Sequence, residues 1–234
     1  MPSSSRILIA SALLLTAAAT ARADGPPLRW AMPEPTRTVV VDSPIIIPAG
    51  QTVDFNYTRF VPSRKLGDGS QREAQRPVIS LMKGANVKRV IIGKPGADGI
   101  HCRGNNLLLD VWFEDVGEDA VTIDGGNVKW IGGGARDAAD KVVQMNHKGP
   151  FHGENLRFED FGTAVRGNGT EKYRDTAFRV TLKNIGCKDG DCLLKLTSKG
   201  SRGEIEGIDF RDVKQIGRAD NASKIVWKDQ PKKD

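Results

Sequence analysis

Acidic residues return to the same local setting at a fixed interval in the middle of the chain. The fragments ADGI, EDAV and ADKV contain Asp98, Asp119 and Asp140, which are 21 residues apart each time, and Glu118 adds a carboxylate beside Asp119. Carboxylates held close together repel by about 1 kcal/mol per pair even in water. A hard divalent cation with oxygen ligands removes that conflict. The spacing therefore predicts a calcium site among these carboxylates. The alternative is that the aspartates are turn residues that cap their own backbone.

Two cationic residues follow the acidic series. Lys141 comes directly after Asp140, and Arg166 lies three residues beyond Thr163. Cations of the protein beside a bound metal ion suggest a site that receives an anionic ligand. The alternative is that Lys141 only neutralises Asp140 and Asp119 as an ion pair, which is common on protein surfaces.

The interval of 21 residues also predicts the fold. The chain has 26 glycines and 12 prolines, and its short apolar stretches are bounded by Gly, Asn and Asp, which is typical of strands separated by turns. Strands that recur about every twenty residues indicate a solenoid. We therefore predict an all-β fold, a single right-handed parallel β-helix over residues 38–228. A β-sandwich would instead show antiparallel alternation and regular hairpin turns.

In a β-helix, equal positions of successive coils stack about 4.8 Å apart. Asp98, Asp119 and Asp140 are therefore expected to form a ladder along one side of the solenoid. Thr163 is expected in phase with them, one coil beyond Asp140, with its side chain toward the same groove.

The two ends of the chain differ in composition from the middle. Residues 1–23 contain one arginine, a short apolar run and the small-residue pattern ARA, which predicts a cleaved signal peptide and a secreted protein. The apolar run is too short to span a membrane. Residues 24–37 are interpreted as a linker and residues 229–234 as a basic tail.

The charge of the chain favours a polyanionic partner. Loss of Arg6 and Arg22 with the signal peptide lowers the net charge from +6 to +4. A basic secreted protein suits nucleic acid or an acidic polysaccharide. Aromatic residues are only 6% of the chain and no basic helix is evident, so the polysaccharide is favoured over nucleic acid. No membrane partner is expected, and the protein is expected to be monomeric. The alternative is that the charge only maintains solubility.

The cysteines and histidines carry weaker signals. Cys187 and Cys192 enclose the turn-like KDGD and could form a local disulfide in an oxidising compartment. Cys102 is then left over and is interpreted as a buried, small apolar residue. The three histidines are scattered and are interpreted as structural or surface residues: His101, His147 and His152.

A continuous stretch of the sequence resembles a known family. The segments GDGSQREAQRPV, GADGIHCRG, WFEDVGEDAVTI, ARDAADKVVQMN and DFGTAVRGNG resemble the family 3 polysaccharide lyases, which are calcium-dependent pectate lyases. The motifs EDVGEDA and DKVVQMN occur together at the spacing of that family. The resemblance implies a small secreted β-helix that cleaves polygalacturonate by β-elimination. It implies calcium-ligand positions for Asp98, Glu118 and Asp119, and catalytic positions for Lys141 and Arg166.

The sequence departs from the family at two positions. Thr163 stands where members usually have a lysine, and Asn106 stands where many members have a second cysteine. We expect Thr163, Asp140 and Glu73 to contact the substrate. The loss of the family lysine leaves open a catalytically weak pectin-binding or elicitor protein. A pectin hydrolase on the same fold is a further alternative, because two carboxylates could act as acid and base.

The chemistry expected of a pectate lyase fits these residue types. The proton on carbon 5 of a galacturonate is alpha to a carboxylate, and its removal makes a dianionic enolate. Calcium and the guanidinium of Arg166 would both stabilise that charge. Lys141 is the expected base, because a lysine can be made neutral by its surroundings. Arg166 is the alternative base, and it would require a strongly alkaline optimum.

Overall fold

The computed structural model describes residues 31–73, 75–220 and 222–229, together with the backbone of 232–233. The predicted signal peptide lies outside these residues. Every strand pairing is parallel, and the strands form one continuous sheet that winds into a solenoid. The prediction of a single parallel β-helix is confirmed. Over the described ranges, no helix has the length and apolar character needed to cross a bilayer.

Fourteen strands make up the solenoid, and one short 3₁₀ turn, Glu171–Tyr173, follows the tenth of them. In chain order the strands are β1 (Arg37–Val41), β2 (Ile45–Ile47), β3 (Thr52–Pro62), β4 (Ile79–Leu81), β5 (Asn86–Ile92), β6 (Ile100–Cys102), β7 (Asn106–Phe113), β8 (Asp119–Ile123), β9 (Val128–Met145), β10 (Phe151–Gly167), β11 (Arg179–Leu196), β12 (Arg202–Ala219), β13 (Lys224–Trp227) and β14 (Lys232–Lys233).

The strands stack into two connected faces. The first face follows the order β1-β3-β5-β7-β9-β10-β11-β12-β13, and the second face begins with β2, β4, β6 and β8. β8 then pairs with the second half of β9, so that from β9 to β12 one long strand covers both faces. The functional residues predicted from the sequence lie mainly on this second face or in the loops that lead into it.

The long strands bend at aspartates rather than at glycines. Asp137, Asp160, Asp189 and Asp212 have φ angles between 53° and 55°, in the left-handed region that Asp and Asn tolerate better than most residues. The pairings on either side place them at one position of four successive coils. The interpretation of aspartates as turn residues therefore applies to this set of four.

Edge-to-face aromatic rings fill the core of the central coils. The ring centroids of Phe113 and Trp130 are 5.5 Å apart, those of Trp130 and Phe158 are 6.0 Å apart, and those of Phe158 and Phe161 are 6.2 Å apart. Trp130 is 0% exposed and Phe158 is 1% exposed. Such contacts stabilise the stacking of neighbouring coils beyond the effect of apolar burial alone.

Phe158→Ala is expected to lower the free energy of unfolding by about 3–5 kcal/mol, because it removes a large buried side chain and leaves a cavity between two coils. Chemical denaturation of the two proteins measures the difference. Val40→Ala is the control, since Val40 is 66% exposed and its truncation should change stability by less than about 0.5 kcal/mol. A loss below about 1 kcal/mol for Phe158→Ala would mean that the coils repack around the site.

The cysteines are buried free thiols in the described structure. The predicted disulfide between Cys187 and Cys192 is wrong. The segment KDGD is not a hairpin turn but the corner of β11, which bends the chain onto the next face instead of reversing it, so the two thiols are not brought together. The Sγ of Cys187 contacts the carbonyl oxygen of Asp209 at 3.7 Å, and the Sγ of Cys192 contacts that of Leu194 at 3.6 Å. The prediction that Cys102 is buried is confirmed.

Candidate functional site

The register of the second face decides which predicted residues stack. Ile100 of β6 pairs with Val121 of β8, an interval of 21 residues that places Asp98 beside Asp119. Asp119 of β8, however, pairs with Lys141 of β9. The second coil is therefore one residue longer than the first. The predicted ladder of three aspartates is wrong at its third position, where a lysine takes the place of Asp140.

This longer coil changes the electrostatics of the stack. The column runs from Asp98 through Asp119 to Lys141, and Thr163 of β10 pairs with Lys141 in the following coil. A cation thus follows two carboxylates where a third carboxylate was expected. Asp140 remains adjacent, and its Oδ2 accepts a hydrogen bond from Lys141 Nζ.

A second column of outward-facing side chains runs beside the first. Thr122 pairs with Gln144, and Gln144 pairs with Arg166. Ala120 and Val121 are both buried, at 1% and 0% exposure, so two consecutive residues face the core. This break in the usual alternation lets the residues on both sides of the pair, Asp119 and Thr122, face outward together.

The two columns form one wall of a cleft of about 430 Å³. The cleft contains every predicted site residue except Thr163, which is half-buried and lies one coil beyond Lys141. The lining residues are Glu73, Gln75, Asp98, His101, Glu118, Asp119, Thr122, Asp124, Asp140, Lys141, Gln144, Asn146, Arg166, Asn168 and Thr170.

The carboxylates at one end of the cleft are held close together at a cost. Burial raises the pKa of Asp119 to about 7, and the charges of Asp98 and Glu118 contribute to this against the attraction of Lys141. Burial and the charge of Asp98 likewise raise the pKa of Glu118 to about 7, although the backbone N–H of Gln75 donates a hydrogen bond of 3.1 Å to Glu118 Oε2. Asp119 Oδ1 is buried and has no hydrogen-bond partner among the described residues.

These carboxylates fit a hard cation. In their present positions, no three His, Cys, Asp or Glu side chains of the described chain converge closely enough to hold a metal ion. Asp98 is turned toward His101, whose Nε2 lies 2.5 Å from Asp98 Oδ2. The buried oxygen of Asp119 and the raised pKa values nevertheless show carboxylates that lack a neutralising partner. Oxygen donors of this kind are those that Ca²⁺ prefers.

Lys141 lies between two carboxylates. It donates a hydrogen bond to Asp140, and its Nζ lies 3.5 Å from Asp119 Oδ1. Burial favours the neutral amine, but the charges of Asp119 and Asp140 outweigh burial and raise the pKa of Lys141 above its usual value. The ion pair that was an alternative interpretation of Lys141 is therefore present in the structure. It does not exclude a catalytic role, because Lys141 also lines the cleft.

Arg166 presents a cation to the same cleft from the next coil. Its Nε is buried and has no hydrogen-bond partner among the described residues. A guanidinium has five N–H donors in a rigid fork, which matches the geometry of a carboxylate. Arg166 is therefore suited to bind an anionic group that enters the cleft.

The sequence interpretation missed His101 as a residue of the site. Its Nε2 contacts Asp98, and its Nδ1 lies 3.4 Å from Asp124 Oδ2. Burial opposes protonation, but the hydrogen bonds and charges of Asp124 and Asp98 outweigh it and raise the pKa of His101 to about 9. The available signal was the spacing of three residues from Asp98, in DGIH, which places both side chains at the same end of β6. His147 and His152 do not line the cleft.

Comparison with known proteins agrees with this site. The family described as pectate lyase matches residues 29–222. Probable pectate lyase D of Neosartorya fischeri is 33% identical over 199 residues, which are 80% of this chain and 79% of the relative. Probable pectate lyase F of Aspergillus terreus is 39% identical over 174 residues, with 71% of this chain and 73% of the relative covered.

Solved structures show the same similarity. The catalytic domain of pectate lyase PelI from Erwinia chrysanthemi superposes with a TM-score of 0.57 at 26% identity, covering 76% of this chain and 79% of that domain. PelI in complex with tetragalacturonic acid superposes with a TM-score of 0.54 at 26% identity, covering 76% of this chain and 56% of PelI. With a family match across most of its length and relatives above 30% identity, this chain belongs to the pectate lyase family of enzymes.

Proposed function

We propose that this protein is a secreted, calcium-dependent pectate lyase that cleaves polygalacturonate by β-elimination and releases 4,5-unsaturated oligogalacturonides. The observation that carries the proposal is the cleft in which Asp98, Glu118 and Asp119 lie beside Lys141 and Arg166. Carboxylates for a metal ion and cations for an anionic sugar thus share one wall. The PelI complex with tetragalacturonic acid supports an acidic polysaccharide as the ligand.

The side chains of Asp98, Glu118 and Asp119 would hold the calcium ion. When bound, calcium would supply a Lewis acid that stabilises the negative charge on the carboxylate of the reacting sugar. This stabilisation is needed because loss of the proton on carbon 5 makes a dianionic enolate, and preorganised positive charge is the strongest means of stabilising such a species.

Arg166 would bind the same sugar carboxylate from the other side. Its Nε is buried without a partner, so an incoming carboxylate would satisfy a donor that is otherwise unpaired. The guanidinium keeps its charge at all relevant pH values and would resist the loss of stabilisation as the reaction proceeds.

Lys141 would take the proton from carbon 5. A base must be neutral, and burial already favours the neutral amine, whereas the charges of Asp119 and Asp140 hold the proton on it. Neutralisation of Asp119 as a metal ligand would remove one of these charges and lower the pKa of Lys141. The electron pair left on carbon 5 forms the double bond to carbon 4, and the oxygen on carbon 4 leaves. Arg166 remains the alternative base.

Three other roles complete the proposal. Asp140 would orient Lys141 through their hydrogen bond, and Glu73 would contact the substrate at the rim of the cleft. Residues 1–23 would direct export, and the mature protein would act as a monomer outside the cell. These assignments depend on the sequence and on the positions of the side chains.

Incubation with polygalacturonate, with and without a chelator, tests the function. A lyase releases unsaturated ends that absorb ultraviolet light, and the chelator should remove this signal. A hydrolase on the same fold would release reducing ends without ultraviolet absorbance, and a binding protein would release neither. Ultraviolet-absorbing product that persists in excess chelator would refute calcium dependence and retain elimination.

A weakly catalytic pectin-binding protein is the second candidate, and Thr163 is the observation that favours it. Thr163 pairs with Lys141 and therefore stands next to the proposed base, at the position where the family usually has a lysine. A threonine offers only a neutral hydrogen bond, and charge-assisted bonds are roughly twice as strong. One such loss weakens binding or turnover by about tenfold, which does not abolish catalysis.

Thr163→Lys is expected to raise activity by about tenfold on de-esterified polygalacturonate and by less on methylated pectin, because the added ammonium attracts free carboxylates. Initial rates from ultraviolet absorbance at low and high salt measure the effect, and the gain should shrink with salt. Thr181→Lys is the control, since Thr181 lies on the other face of β11 and outside the cleft. Equal gains from both variants would show that only net charge matters.

A further inference from the structure

The outward-facing column that contains Arg166 continues beyond the cleft. Arg166 of β10 pairs with Lys195 of β11, and Lys195 pairs with Arg218 of β12. Leu194 and Leu196 are both 0% exposed, so the alternation of the strand directs Lys195 to the outside. Three cations therefore stand on one side of three successive coils, about 4.8 Å apart. We refer to Arg166, Lys195 and Arg218 as the basic row.

The basic row differs from the other lysines of the same coils. Lys188 forms ion pairs with Glu159 at 2.7 Å and with Asp189 at 3.2 Å, and Lys214 forms one with Asp191 at 2.6 Å. Elsewhere on these coils, acidic side chains thus neutralise the lysines, as expected for a solenoid surface.

The basic row lacks such neutralisation at its centre. Within the described part of the chain, no carboxylate lies within ion-pair distance of Lys195, and Arg166 Nε has no hydrogen-bond partner. Arg218 contacts Asp220 through Nε at 3.2 Å, and its guanidinium carries further N–H donors. Like charges one coil apart repel, so stability alone does not explain this arrangement.

We infer that the basic row is an extended substrate-binding surface that receives successive carboxylates of polygalacturonate and leads the polymer from the cleft toward the C-terminal coils. The inference rests on the proposed function, since it names how the same substrate continues beyond the reacting sugar. A polymer with one carboxylate on every sugar suits a row with one cation on every coil. Methyl esters would remove the charge that the row recognises.

The two ends of the binding surface then differ in their requirement for calcium. At the acidic end, Asp98, Glu118 and Asp119 repel a sugar carboxylate unless a cation lies between them. At the basic row, Lys195 and Arg218 attract the carboxylate directly. Binding of long substrates should therefore retain a component that is independent of calcium, sensitive to salt and dependent on Lys195.

Affinity electrophoresis in gels with polygalacturonate and excess chelator tests the inference. Lys195→Gln should weaken retention by about threefold to tenfold, which is the range for one charge-assisted contact at a partly exposed site. Lys195→Arg should retain most of the affinity, because it keeps the charge. The matched control is Lys183→Gln, which removes the same charge from the other face of the same strand β11 and should leave retention unchanged.

Rates on short and long oligogalacturonates give a second measurement. With calcium present, the loss in kcat/KM caused by Lys195→Gln should be larger for hexagalacturonate than for trigalacturonate, because only the longer chain reaches the row. Gels with fully methylated pectin should show no difference between Lys195→Gln and the wild type.

The outcomes separate this inference from the proposed function. An active wild-type lyase whose retention is equally affected by Lys195→Gln and Lys183→Gln would overturn the basic row and leave the lyase intact. Retention that depends on Lys195 in a wild type that releases no unsaturated product would support the row and refute the lyase. Equal dependence on Lys195 in gels that contain dextran sulfate would reduce the row to general charge attraction and overturn the inference.

Discussion

Lys141→Ala is expected to lower kcat on polygalacturonate by about 10²–10⁴-fold, the range for one lost general base. Lys141 lines the cleft between the proposed calcium ligands and Arg166, and it is the cation closest to the carboxylates, with Nζ 3.5 Å from Asp119 Oδ1. Its removal takes away the proposed proton acceptor and leaves Asp119 and Asp140 without their common partner. Initial rates from ultraviolet absorbance at saturating substrate and calcium measure the effect.

Two further variants separate the base from the charge. Lys141→Arg keeps a cation in contact with the carboxylates but cannot be neutral near physiological pH, so it should lose nearly as much as Lys141→Ala. Lys188→Ala is the matched control, because Lys188 also bridges two acids but lies outside the cleft. It should retain wild-type kcat.

The pH profile gives the outcome that would contradict Lys141 as the base. If Lys141→Ala retains near-normal kcat, or if Lys141→Arg is fully active, the proton must go to Arg166 or to water. An Arg166 base would place the optimum at strongly alkaline pH in both variants. Arg166→Lys should be damaging in either case, since an ammonium cannot reproduce the bidentate contact with a carboxylate.

The sequence was sufficient to predict the fold because a solenoid repeats its local signals. Each coil contributes a short apolar stretch and a turn, so the interval between Asp98 and Asp119 is a direct measure of one coil. The same regularity brought Glu118, Lys141 and Arg166 into the predicted cleft. The longer-range constraint was not needed, because each coil contacts only its neighbours.

The position of Asp140 could not be predicted from the same regularity. One additional residue in the coil after Asp119 moves Lys141 into the stack. Both residues are polar and adjacent, so neither composition nor hydrophobic pattern distinguishes which of them faces the column. The difference depends on where the bulge falls, between Phe161 and Thr163 of β10 and the corresponding part of β9. A bulge of this kind has no clear signature in a single sequence.

The role of His101 and the state of the cysteines depended on tertiary geometry. His101 contacts Asp98 in its own coil and Asp124 in the next one, and only the stacking of the coils brings the two carboxylates to the ring. The segment between Cys187 and Cys192 has the composition of a hairpin turn, but the positive φ of Asp189 bends the strand at a corner of the solenoid instead. Local composition is the same in both cases.

Asp119→Asn is expected to weaken calcium binding by about 100-fold or more, since the loss of a residue that only supports a ligand already costs 10–100-fold. Asp119 stacks on Asp98 and has a buried Oδ1 with no hydrogen-bond partner among the described residues, which is the atom best placed to bind a cation. Titration calorimetry measures the affinity without any need for turnover. Asp160→Asn is the control, because Asp160 lies at the corner of β10 outside this cleft and Asn tolerates its φ of 53°.

The same variant should change stability in the absence of calcium, with a sign that follows from the pKa of Asp119. Its folded pKa of about 7 lies above its model value of 3.8, so the folded state binds more protons between these values, and the wild type loses stability as the pH rises from about 4 to about 7. In chelator at pH 8, Asp119→Asn should therefore have a higher Tm than the wild type, and the difference should shrink as the pH falls through 7 toward 4. With saturating calcium the order should reverse, because only the wild type gains binding energy. Calcium affinity equal to that of the wild type, or a lower Tm for the variant in chelator at pH 8, would show that Asp119 is a structural residue and not a metal ligand.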